Sequence, residues 1–334
     1  MDDTGPILTH REVPAKRLAP PSTVSPELRQ SMSMLAAAPS LTEAQAPRTV
    51  AEWKAFIAQA DAQTLAAAPV IAARFPHAVV RREIAGVTVR EITPASLDPA
   101  KAGRLLVHLH GGGYALNSGE ASTTEAVLGA HYTGIKAISV DYRTPPDHPF
   151  PAAVDDAVAV WRALIADHAP ASMAAFGTSA GGGLTLAMTL KLRGLGLPLP
   201  GALGCGTPWT DLTGASDSYQ VNAGVDGVFT RYDDFGRALA AIYAGSTPLT
   251  DPLISPVYGD FAGFPPTIFI TGTRDILISD TVRTYRAMRA AGVEARLEVH
   301  EAMSHGEYIF AFNAPESAVA FGDLADFFAA HLRG

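Results

Sequence analysis

Residues 173–192, MAAFGTSAGGGLTLAMTLKL, restrict the fold of this chain more than any other stretch. A short apolar run ends at the pentapeptide Gly177-Thr178-Ser179-Ala180-Gly181, and a helical pattern begins directly after it. A strand must stop, turn sharply and become a helix within a few residues. In a G-x-S-x-G turn of this kind the serine sits at the apex with its hydroxyl exposed. Gly177 and Gly181 carry no side chain, so strand and helix can approach across the turn. An ordinary glycine-rich turn would use the same letters. The apolar run before it and LTLAMTLKL after it favour strand–turn–helix.

The rest of the chain supplies a frame for that turn. AVVRREIAGVTVREITP reads as two strands joined at Ala85-Gly86. RLLVHLH, GIKAISVDYR, GALGCGTPW, PTIFITGTRD and ARLEVHEA read as further strands. Between them lie helical patterns, among them FPAAVDDAVAVWRALIADHA with Val154, Val158, Trp161 and Leu164 on one face. Short apolar strands alternating with helices predict an α/β fold, with a mostly parallel sheet covered on both sides. Residues 1–45 read as an arm with a short helix near 25–37, and 49–75 as one helix ended by Pro76. Residues between Trp209 and Phe264 contain helical pieces and no convincing strand. The expected division is an arm over 1–50, a catalytic domain in two parts, 51–208 and 264–334, and a helical cap insertion over 209–263.

Acidic residues outnumber basic ones by 33 to 25, the net charge is -8, and no run of five Lys or Arg occurs, which argues against a nucleic-acid partner. Cys205 is the single cysteine, so no intrachain disulfide can form, and a small buried residue is its expected role. Apolar runs such as TLAAAPVIAA are far short of the ~20 residues of a membrane span, so no stable membrane insertion is expected. No positively charged segment followed by an apolar one opens the sequence, which makes cytoplasm the expected compartment.

A second glycine cluster, His110-Gly111-Gly112-Gly113, follows the strand RLLVHLH. A serine attacking a carbonyl generates an oxyanion, which needs preorganised donors. Bare backbone N–H groups of Gly112 and Gly113, with that of Ala180, would provide them. His110 is expected to orient this loop by hydrogen bonding. A metal pair with His108 finds no third ligand by spacing. Neither glycine cluster has the spacing of a dinucleotide loop or ends as a Walker A loop does, so no cofactor is implied. The serine also needs a base and a group to hold that base, in the chain order Ser, acid, His. Asp275 ends the apolar run TIFITGTRD, with Asp280 as a rival better suited to capping or structure. His305, between Ser304 and Gly306, suits a loop base better than His300, which falls in the strand pattern.

Four stretches together resemble the bacterial hormone-sensitive-lipase-like esterases, a family of α/β-hydrolases: HGGGY at 110–114, DYRTPPDHPFPAAVDD at 141–156, GTSAGGG at 177–183, and DILISD at 275–280 with His305-Gly306. The likeness covers roughly residues 75–334. It implies an α/β-hydrolase fold with a helical cap, and it places the nucleophile on Ser179, the acid on Asp275, the base on His305 and oxyanion donors on Gly112 and Gly113. Thr178 stands where the commoner elbow has Asp, which resembles a GTSAGG-type subgroup. DYRTPPD replaces the commoner DYRLAPE, and Arg143 is expected to make a structural ion pair. The implied activity is hydrolysis of short- to medium-chain acyl esters. A lactonase, a serine peptidase or a noncatalytic ligand-binding protein on the same scaffold are the other readings. Tyr219, Val225, Phe229 and Tyr232 are the aromatic and aliphatic residues expected to line a pocket or pack the cap. The resemblance also points to a homodimer through the last strand, 295–300.

Overall fold

The computed structural model describes residues 13–15, 17–37 and 46–333. Among the described residues, eight strands form one sheet: β1 His77–Ile84, β2 Val87–Pro94, β3 Leu105–Leu109, β4 Ala137–Val140, β5 Met173–Thr178, β6 Ala202–Gly206, β7 Thr267–Gly272 and β8 Ala295–His300. Their order is β1-β2-β4-β3-β5-β6-β7-β8. β2 runs antiparallel to β1 and β4, and every other pairing is parallel. This is the expected α/β-hydrolase architecture.

Strand alternation sorts the core into two layers. Val107 and Leu109 of β3 face the layer of helices Ala152–Leu164 and Ala180–Gly194, where Val154, Trp161 and Leu184 are buried. Leu106 faces the opposite layer, of Thr123–Thr133 and Pro315–His331, with Leu128, Phe321 and Phe328. Parallel strands leave all their C-terminal ends on one side, where ligands collect in open sheets. The segments after β3, β5, β7 and β8 carry His110, Ser179, Asp275 and His305 to that side.

The β1–β2 hairpin turns at Ala85 and Gly86, both at positive φ (50° and 81°), as a two-residue turn between twisted strands requires. Residues 49–75 depart from the single helix expected. They form two helices, Val50–Leu65 and Ala68–Arg74, with Pro69 in the first turn of the second. Proline has no N–H to continue the ladder and its ring collides with the preceding turn. The first of these helices is closed by a capping box between Thr49 and Glu52. The arm helix Pro26–Ala37 forms as expected and is tied to the C-terminal helix by the Ser25 N–H and hydroxyl, both donating to Glu316.

Among the described residues, 209–263 contain no strand; a helical turn at Tyr232–Gly236 runs into the helix Arg237–Ala244. Asp280 anchors the start of this segment. It is fully buried and accepts hydrogen bonds from the Asp211 N–H (3.0 Å) and the Ser216 hydroxyl, with the Tyr219 hydroxyl oxygen 3.1 Å away. Burial pushes its carboxyl up to about 7. Asp280 is thus a structural acid. Arg143 pairs with Asp156 at 2.8 Å, the ion pair expected of it.

Candidate active site

Ser179 follows β5 directly, at φ 63° and ψ -125°, a conformation that L residues seldom adopt. The surroundings enforce it. Its N–H donates to the Gly206 carbonyl at 2.9 Å, and its own carbonyl accepts from Trp209 and Gly183. A Cβ at Gly177 would lie 2.1 Å from the Leu109 carbonyl oxygen, and one at Gly181 would lie 2.0 Å from the same atom. Both glycines are required by contact with β3. Gly181→Ala is therefore expected to cost about 3 kcal/mol through overpacking. That would appear as a fall of about 5 °C in Tm by calorimetry. A Tm unchanged within a degree or so would contradict the close packing.

The three sequence-predicted side chains meet in one line. The Ser179 hydroxyl lies 2.8 Å from His305 Nε2, and His305 Nδ1 lies 3.1 Å from Asp275 Oδ1. Asp275 is fully buried and has two further donors, the Leu277 N–H on Oδ1 (2.9 Å) and the Thr271 hydroxyl on Oδ2 (2.6 Å). A carboxylate only accepts, so the proton of a neutral His305 sits on Nδ1 and its Nε2 lone pair faces Ser179. Burial pulls the imidazole pKa down, but the hydrogen bond and charge of Asp275, with the charges of Asp226 and Asp280, leave it above its ordinary value.

The triple-glycine loop lies beside the serine turn. A Cβ at Gly111 would stand 2.8 Å from the Thr178 carbonyl oxygen and 3.4 Å from the Ser179 Cβ. Gly112 and Gly113 both have positive φ, 104° and 60°. Ala180 opens the helix Ala180–Gly194, whose first N–H groups lack intrahelical partners. His110 stacks on Tyr142 with ring centroids 4.0 Å apart. Its Nδ1–H donates to the Gly111 carbonyl at 2.9 Å, and its carbonyl accepts from the Tyr142 hydroxyl at 2.7 Å. Burial lowers its pKa to about 4, so it is a neutral support for the loop near pH 7. His108 turns to other partners, Ser139 Oγ at 3.0 Å and Glu125 at 3.1 Å. No metal-holding group of side chains occurs among the described residues.

Ser179, His305 and Gly111, Gly112 and Gly113 border a cavity of about 690 Å³. Phe56, Trp209, Phe229, Phe235 and Leu239 form much of its wall, and Ala67, Ile71 and Phe312 contribute elsewhere. Of the four residues expected to line a pocket or pack the cap, Phe229 lines it. Tyr219 and Tyr232 are instead buried in packing, their hydroxyls donating to the carbonyls of Asp211 and Leu212. Val225 is not among the lining residues.

A family model described as alpha/beta hydrolase fold matches residues 106–309. The crystal structure of an esterase, E25, superposes with a TM-score of 0.91 at 39% identity, covering 97% of this chain and 99% of that one. A crystal structure described as an esterase from the bacterial hormone-sensitive lipase family gives a TM-score of 0.80 at 30% identity, covering 92% and 99%. An acetyl-hydrolase of Streptomyces hygroscopicus is 35% identical over 66% of this chain and 73% of its own length. The chain belongs to the bacterial hormone-sensitive-lipase-like esterases of the α/β-hydrolase fold. It is a serine-type carboxylesterase.

In this esterase Thr178, the unusual residue of the elbow, is fully used. Its hydroxyl joins the Glu125 carboxylate and the Tyr308 hydroxyl, and its N–H donates to Glu125 at 3.2 Å. Glu125 also meets His108, so a buried polar chain passes directly beneath the serine turn. Sequence reasoning missed Glu125, which sits inside the helix Thr123–Thr133 with no motif around it. It also missed Asn117, whose N–H donates to Asp61 at 2.6 Å and whose Oδ1 accepts from Thr64 at 3.0 Å. These bonds tie the stretch after the triple glycine to the helix Val50–Leu65. The Asn-Ser-Gly at 117–119 was the available signal, since Asn tolerates the left-handed backbone found there (φ 65°).

Proposed function

We propose that this esterase hydrolyses short- to medium-chain acyl esters through an acyl-enzyme on Ser179. The Ser179–His305–Asp275 line, opening on an apolar cavity, is the observation that carries this reading. His305 Nε2 takes the serine proton as Oγ attacks the ester carbonyl. Asp275 holds the tautomer and stabilises the imidazolium. The oxyanion is received by the N–H groups of Gly112, Gly113 and Ala180. His305 then protonates the departing alcohol, water attacks the acyl-enzyme with the same base, and the acid leaves.

The chain-length preference rests on the cavity. Its volume of about 690 Å³ lies within the range that encloses one drug-sized ligand. A whole long-chain triglyceride, with its three acyl arms, exceeds that volume. With a panel of esters graded from about C2 to C16, kcat/KM is expected to be highest at short to medium chains and to fall about tenfold or more at the long end. A profile flat to the long end would overturn the preference.

The cap in this proposal is the arm 1–50 with the insertion 209–263, and the helix Val50–Leu65, which the sequence division leaves in the catalytic part 51–208, packs against that insertion. Phe56 lies 4.9 Å from Phe235 between ring centroids, across that junction. The elbow sequence GTSAGGG supports the GTSAGG-type subgroup. β8 is an edge strand of the sheet, with Val299 46% exposed, which supports pairing of two copies there.

A further inference from the structure

Asp226 belongs to the insertion and has no part in the reaction as described. It is 1% exposed, and its two oxygens accept four backbone N–H groups. Oδ1 takes those of Val228 (2.8 Å) and Phe229 (3.0 Å). Oδ2 takes those of Ile276 (2.8 Å) and His305 (3.0 Å). The first pair is the local capping any Asp can give a turn. The second is not local, since its donors lie 50 and 79 residues away in sequence. Ile276 directly follows Asp275. One oxygen atom therefore holds the acid loop and the base loop at a common point.

The other oxygen fixes the turn that brings Val228 and Phe229 into the cavity wall. The Phe229 ring stands edge-on to the His305 imidazole, centroids 5.7 Å apart. Neighbouring bonds repeat the link: Asn222 Nδ2 donates to the Asp275 carbonyl at 2.8 Å, and the Gly227 N–H donates to Ser304 Oγ at 3.2 Å.

We propose that Asp226 is a positioning residue for ester hydrolysis, a second carboxylate that registers His305 against Asp275 and adds negative charge beside the imidazolium. This inference rests on the Ser179–His305–Asp275 reading. The charged groups that face His305 are Asp275, Asp226 and Asp280, and those that face Asp226 are His305 and Asp275. Burial pushes the Asp226 carboxyl up to about 6, the charge of His305 opposing the rise and that of Asp275 adding to it. Asp226 is accordingly ionised at pH 8.

Asp226→Asn removes the charge and turns an amide group toward two N–H donors. In the folded variant kcat is expected to fall about ten- to hundredfold, as when an outer partner of a working histidine is lost, with KM changing much less. The acid limb of the kcat/KM–pH profile is expected to move to lower pH, because one contribution that raises the His305 pKa is gone. Asp226→Glu keeps the charge and disturbs the register, so kcat should fall while the limb stays in place. A folded Asp226→Asn with the wild-type limb and kcat, losing only Tm, would make Asp226 a structural cap and overturn the inference. If Asp226→Asn does not fold, a wild-type kcat in Asp226→Glu overturns it. Fluorophosphonate labelling of the wild type separates the two readings. Labelling away from Ser179 defeats the active-site reading itself, whereas labelling at Ser179 with an unmoved Asp226→Asn profile defeats the positioning role alone.

Discussion

Ser179→Ala should reduce kcat by about six orders of magnitude and leave the fold intact, as expected when the nucleophile of a unit of this kind is removed. The substitution deletes one oxygen, whose bond in the structure is the 2.8 Å contact to His305 Nε2. The unusual backbone at 179 is set by bonds from main-chain atoms to Gly206, Trp209 and Gly183, and alanine keeps all of them. Tm should stay within a few degrees. Fluorophosphonate labelling and the burst with an activated ester should both disappear. What remains is the catalysis that oxyanion donors and binding supply alone, about 10³–10⁴ over water. A burst retained in the variant would remove Ser179 from the proposal.

The parts of the site that could be read in the sequence are those whose chemistry is local. A strand that must become a helix within five residues leaves small residues and one exposed hydroxyl, and GTSAG shows both requirements in its letters. The triple glycine is legible for a similar reason, since positive φ at Gly112 and Gly113 and the close approach of Gly111 to Thr178 each exclude a side chain. Asp275 and His305 were found by order along the chain and by their positions after strands. The fold was legible because buried parallel strands are short, apolar and spaced by helices.

What could not be read depends on contacts between distant segments. Nothing around Asp226 separates it from an ordinary turn aspartate, because two of its four donors come from loops 50 and 79 residues away. Glu125 lies on a helix whose other buried residues are mostly apolar, and its partners are on β3 and β5. Trp53 and Phe56 fit a core-facing helix equally well, and only the packing places Phe56 at the cavity wall. For Tyr219 and Tyr232, large aromatics in the insertion, the sequence leaves lining a pocket and packing the cap both open, and the structure gives packing. Their hydroxyls are drawn to the carbonyls of Asp211 and Leu212, where each buried O–H finds an acceptor. The break at Pro69 was hidden by alanines on its N-terminal side, which carry a helical pattern smoothly up to it.

Asp275 offers the second large effect, and its surroundings fix how the loss divides. Asp275→Ala leaves His305 Nδ1 with no acceptor and the Leu277 N–H without its bond, so kcat should fall about 10⁴-fold. Asp275→Asn should behave differently from the usual expectation of a flipped tautomer. The Oδ1 position already receives the Leu277 N–H at 2.9 Å, and an amide NH₂ there would set donor against donor. The amide oxygen is therefore held on the His305 side, and the NH₂ points to the Thr271 hydroxyl, which can rotate to accept. His305 keeps its proton on Nδ1 and its lone pair toward Ser179, and what is lost is charge. The expected result is a milder fall in kcat, about 10²–10³-fold, smaller than that of a wrong-tautomer variant. The sign of the pH effect follows from the same geometry. His305 works as a base only when neutral, and Asp275 is the main contributor holding its pKa above the ordinary value. Removing that charge lowers the pKa, so the acid limb of kcat/KM should move to lower pH even as the plateau drops. Equal losses in Asp275→Asn and Asp275→Ala would mean that the Leu277 amide does not control the orientation of the side chain, and a limb that moves up would mean that the Asp275 charge does not hold the His305 pKa up.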